Sequence, residues 1–99
     1  MRLLFVPLAL AGLLGCGPVQ STATIMDAQA ALEAARAAGA EKTATYEYVS
    51  AQSYLDKARE TRNRALYERS ESYAKKARNL AKEARLKAAA AATHQGDKS

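Results

Sequence analysis

The chain opens on an apolar block and then changes rhythm. Leu3 to Leu14 (LLFVPLALAGLL) carry no charge and follow one basic residue, Arg2. Twelve such residues are too few to cross a bilayer, which takes about 20, and match a signal-peptide core. Gly17, Pro18, Gln20, Ser21 and Thr22 then read as a short polar tether, residues 16–23 with its flanks. Ile25, Ala28, Leu32 and Ala35 recur at spacings of three and four, which predicts a helix with one apolar face. Thr24 followed by Asp27 has the form of a capping box, so this helix is expected to start after Thr22 or Thr24. Gly39 is the residue expected to end it.

Ala40 to Thr45 read as a connection, with Thr45 a candidate cap for a second helix. Tyr48, Ala51, Leu55, Ala58, Arg62 and Ala65 keep the same rhythm until Arg62 interrupts it, and a break is expected near Asn63. A third helix is predicted from about Leu66 to Ala92, with Tyr67, Ser70, Ala74, Ala77, Ala81, Ala84 and Ala88 along one stripe. Residues 93–99 are expected to form a disordered tail. The expected fold is all-α: a small three-helix up-down-up bundle over residues 24–92. The alternative is one long helix over 46–92 in a coiled coil. Coiled coils want Leu, Ile or Val at most seam positions, and this seam is mainly alanine, which favours the bundle.

Composition sharpens that picture. Alanine supplies 22 of the 84 residues from Cys16 onward, and the same stretch holds neither Trp nor Phe. So short a chain with so few large apolar side chains has a thin core. Alanine's helix propensity partly compensates, because ordering its side chain costs almost nothing. Loss of Arg2 with the leader leaves 14 basic against 10 acidic residues, a charge near +4. That is too weak a bias to argue for nucleic acid. Cys16 is the only cysteine, so no disulfide can close within the chain.

Leu13, Leu14, Gly15 and Cys16 resemble the lipobox of bacterial lipoprotein precursors, in which Leu, a small or apolar residue, Gly or Ala, and Cys stand in that order. The resemblance implies cleavage after Gly15, so that residues 1–15 form the signal peptide. It also implies diacylglycerol on the Cys16 sulfur and an acyl chain on the new amino terminus, with no other cofactor. Two or more chains hold a protein durably on a membrane. In Gram-negative relatives of this type an Asp after the cysteine keeps the protein at the inner membrane. Gly17 stands there instead, which implies the outer membrane, facing the periplasm. A Gram-positive source would imply the outer face of the plasma membrane.

Two further resemblances concern the helical part. Tyr54, Ala58, Tyr67, Tyr73 and Ala77 fall where a tetratricopeptide repeat has its packing and turn positions, while Lys57, Ala65 and Ser70 depart from it. A single repeat-length unit implies a helical hairpin of that type rather than a solenoid. The stretch from Ala28 to Ala92, notably residues 35–42 (ARAAGAEK), is similar to a family of uncharacterised alanine-rich domains. These occur in short envelope lipoproteins or ahead of an OmpA-like peptidoglycan-binding domain. The family has no assigned activity, and no such domain follows in this chain.

Candidate chemistry is sparse, and a non-enzyme is expected. The one histidine, His94, falls in the expected tail, where a general base would lack positioning. With the thiol acylated, no ligand set for a metal is in view. Lys75, Arg78, Lys82 and Arg85 share one helical face, and six basic residues stand against Glu83 alone between Lys75 and Lys87. Such a face often serves only solubility; it can also hold an anionic phospholipid, lipopolysaccharide or peptidoglycan, at about 1 kcal/mol per cation. Tyr46 is the candidate contact for a protein partner, since tyrosine suits interfaces. The leading expectation is therefore a lipid-anchored scaffolding protein binding a partner protein. Direct binding of an anionic envelope lipid or glycan by the basic face is the alternative. Replacing Cys16 with Ser should abolish incorporation of labelled palmitate; undiminished labelling would contradict the lipobox reading.

Overall fold

The computed structural model describes residues 18–98, with side chains described through Thr93. Leu13, Leu14, Gly15 and Cys16 lie outside the described residues. Those described are helical, with no strand among them: α1 (Pro18–Ala37), α2 (Ala40–Thr43), α3 (Thr45–Asn63) and α4 (Tyr67–Lys98).

Four boundaries differ from the sequence expectation. Helix α1 begins at Pro18, within the expected tether, and proline suits the first position of a helix because its missing N–H has no partner there anyway. Thr24 is not a cap: it is buried, and its hydroxyl donates 2.9 Å back to the carbonyl of Gln20. Thr45 likewise bonds back to Glu41 at 2.8 Å, so α3 starts behind Ala44 without a side-chain cap. Threonine hydroxyls satisfy themselves on the preceding turn in this way without needing a helix end. The expected connection at 40–45 winds into the single turn of α2, and α4 continues through His94 to Lys98 rather than giving way to a tail at residue 93. The break at Asn63 separates α3 from α4, so residues 46–92 are not one continuous helix.

Helix α4 packs against both α1 and α3. Ser21 meets Ser70 at one end, and Ala35 clusters with Ala84 and Ala88 at the other, so α1 and α4 run in the same direction. Ala58 lies by Ser70, and Tyr48 by Ala84 and Ala88, so α3 runs against them. The seam of α4 is Ser70, Ala74, Ala77, Ala81, Ala84 and Ala88, each at most 1% exposed. Small side chains at a helix contact bring the axes toward the short end of the about 8–10 Å range. Larger buried residues are few: Ile25 and Leu55 in one cluster and Tyr48 in the other, with Leu32, Tyr54 and Tyr73 packed partly buried against the first. At the far end Ala40 and Ala44 seat α2 and its exit on the same core.

One polar lock crosses all three long helices. The Ser21 hydroxyl lies 2.8 Å from Ser70 Oγ, which donates 2.8 Å to the carbonyl of Ala58. Both serines are fully buried. A stranded hydroxyl there would cost about 1–3 kcal/mol, so the chain of bonds fixes the register of the helices.

The α3–α4 turn carries local strain. Leu66 N–H donates to Thr61 O at 2.8 Å and Ala65 N–H to Arg62 O at 2.9 Å, the bond pair of a Schellman motif. That motif needs a left-handed residue, which Gly39 supplies after α1 with φ 85°, but here it is Ala65, with φ 62°. An L-residue there costs about 1–2 kcal/mol that glycine avoids. Ala65→Gly should therefore raise the free energy of unfolding by about 1 kcal/mol; chemical denaturation giving a lower midpoint would contradict the assignment.

Candidate functional site

The basic row predicted on the last helix stands on α4, and its members are not equivalent. Lys75 is drawn back along the helix to Glu71, Nζ to Oε1 3.3 Å, which partly cancels its charge. Arg78, Lys82 and Arg85 instead line a groove between α4 and α1 whose other wall is Asp27, Ala30, Ala31 and Ala34. Its volume is about 380 Å³. Small residues at 30, 31 and 34 leave the groove open, because nothing on α1 reaches out to fill it.

The electrostatics of the groove are unbalanced. Among the described residues none of Arg78, Lys82 and Arg85 has a carboxylate within 4.0 Å, although four ion pairs form elsewhere on the surface. Asp27 offsets one of the three charges without pairing closely with any of them. Arg78 Nε is shielded from water yet has no acceptor, the one such buried side-chain atom among those described. Buried guanidinium nitrogens normally find acceptors.

On the other side of α4 the charges are spent internally. Glu47 of α3 accepts a 2.7 Å bond from Lys87 Nζ, which lowers the Glu47 carboxyl and raises the Lys87 ammonium from their ordinary ranges. Tyr54 and Tyr73 stack across α3 and α4 with centroids 6.0 Å apart, Lys57 sitting over Tyr73 and Lys76 over Tyr54. These cations support the hairpin and are occupied by it. Tyr48 is buried, and its hydroxyl donates 3.2 Å to Glu41. Burial first, then the Glu41 carboxylate, raises its pKa.

Tyr46 is 76% exposed at the start of α3, with Val49 half exposed one turn on. They form a small surface away from the basic groove. The structure thus brings Arg78, Lys82 and Arg85 together, diverts Lys75, and leaves Tyr46 apart. Asp27, Ala30, Ala31 and Ala34 were missed by sequence reasoning; their spacing on α1 was visible, but not which helix they would face. No described helix is long and apolar enough to cross a membrane, and no three potential metal-ligating side chains converge among the described residues. Comparison with protein-family models, curated proteins and solved structures returned no match.

Proposed function

We propose that this chain is a lipid-anchored envelope protein, held through Cys16, whose α1–α4 groove binds an anionic group of the envelope. In this reading the domain is a three-helix up-down-up bundle, α2 serving as a link and α3–α4 as a hairpin of tetratricopeptide type. Its role is binding rather than catalysis. The observation that carries it is the groove itself: three cations without close acid partners converge on an open floor of alanines. Phosphate and carboxylate oxygens match a guanidinium fork, and Arg78 and Arg85 offer two such forks. Phospholipid, lipopolysaccharide and peptidoglycan all present such oxygens. Lipidation at Cys16 and a place on the outer membrane facing the periplasm rest on the lipobox resemblance.

A second reading, in which the domain scaffolds a partner protein, draws support from Tyr46 and Val49, exposed together on α3. The groove weighs more, because isolated exposed apolar residues are ordinary on protein surfaces.

Titration of the purified protein with lipopolysaccharide, phosphatidylglycerol vesicles and peptidoglycan fragments tests the groove. Arg78→Gln with Lys82→Gln should weaken binding to the preferred ligand by roughly tenfold or more, and added salt should do the same. Equal affinity of variant and wild type for all three would sink the proposal.

A further inference from the structure

We infer that the α1–α4 side of the domain lies flat against the bilayer that carries its anchor. The partner is an anionic lipid surface, with the first turns of α1 in the headgroup boundary. This deepens the groove reading above and rests on it for the charge.

The first observation is an apolar strip that faces away from the core. Ser21, Thr24, Ile25 and Ala28 are buried, while Val19, Ala23, Met26 and Ala30 follow the four-three-four spacing of the opposite side of α1. Val19 is 57% and Met26 63% exposed. Pro18, Val19, Thr22, Ala23 and Met26 line one shallow depression, and the Thr22 hydroxyl is turned inward to the Pro18 carbonyl at 2.8 Å. What remains outward there is almost entirely hydrocarbon.

The second is what adjoins it. Along the same side of α1, Ala30 and Ala34 lead into the groove that holds Arg78, Lys82 and Arg85. An apolar strip flanked by unpaired cations is the pattern of a surface that seats hydrocarbon about 5–10 Å into a headgroup layer while cations stay at phosphate level. Asp27 beside the groove and exposed Glu33, which continues the strip's spacing one turn beyond Ala30, oppose the attraction, and the three cations exceed them by one charge.

The third is reach. Cys16 precedes Pro18 by two residues, a span of at most about 7 Å. The acyl chains proposed for Cys16 would therefore hold the start of α1 at the membrane, and Val19 and Met26 occupy its first three turns.

Nitroxide labels at Met26→Cys and, separately, at Tyr46→Cys in the full chain test this by their collision rates with oxygen and with a water-soluble nickel complex. Cys16 is the only native cysteine, so an acylated wild-type chain takes up no label. Labelled wild type would defeat the anchor alone, and the two probes would then be carried in a Cys16→Ser chain mixed with the same vesicles. In phosphatidylglycerol vesicles position 26 should collide preferentially with oxygen and position 46 with nickel. Arg78→Gln and Lys82→Gln should each lower the immersed population of position 26 in the Cys16→Ser chain, by roughly fivefold per charge. Equal aqueous exposure at positions 26 and 46 would overturn the proposal, whether or not the anchor is present. So would immersion of position 46 in place of 26.

Discussion

Close approach of helices over alanine is the constraint on which the rest of this structure depends. Ser70, Ala74, Ala77, Ala81, Ala84 and Ala88 give α4 a seam with almost no side chain on it, and α1 and α3 settle onto that seam from either side. Each alanine buries little apolar surface, so no single contact contributes much. Stability must instead come from many short contacts along a long helix, together with alanine's low entropic cost on folding. Close backbones also explain why the one buried hydroxyl pair matters. Ser21 and Ser70 sit where a larger residue would pry the helices apart, and an alanine at 70 would leave Ser21 unpaired.

That constraint arranges the surface as well. A core this narrow leaves Val19, Met26, Tyr46, Val49 and Leu86 with nowhere inside to go. Narrow spacing also places the row of α4 cations beside the small residues of α1, so that a groove opens where longer side chains would have closed it. On the α3 side, longer side chains do reach across: Glu47 takes Lys87, and Tyr54 stacks on Tyr73. The two flanks of α4 therefore differ in kind. One is cross-braced by long side chains, and the other, beyond the Gln20–Glu71 and Ser21–Ser70 bonds at its start, stays open with the cations of its groove unpaired.

Much of the helical layout was legible in the sequence because a three-four rhythm records which residues face inward. Ile25, Ala28 and Ala35 on α1, Tyr48, Ala51, Leu55 and Ala58 on α3, and Ser70 to Ala88 on α4 all lie in the core as that rhythm implies. Helix starts were not legible. Thr24 and Thr45 look like caps, yet a threonine inside a helix presents the same letter while bonding to the turn before it. The expected tail was polar and held Gly96, but the alanine run before it lets α4 carry on to Lys98. For the groove, the sequence showed four cations on one face without distinguishing Lys75, which Glu71 takes, from the three beside α1. That distinction requires knowing which helices are neighbours.

The functional reading inherits its shape from the same seam: an open flank whose cations stand beside residues 27–34 of α1, with exposed hydrocarbon on that helix's first turns. The seam itself is tested most directly by enlarging one of its members. Ala81 is fully buried between the helices, and Ala89, two turns further on, is exposed. Equilibrium unfolding of Ala81→Leu should show a loss of about 1–3 kcal/mol from overpacking, while Ala89→Leu stays within about 0.5 kcal/mol of the wild type. If Ala81→Leu instead raised stability, as an added hydrocarbon in a roomy core would, the close-packed alanine seam would be contradicted.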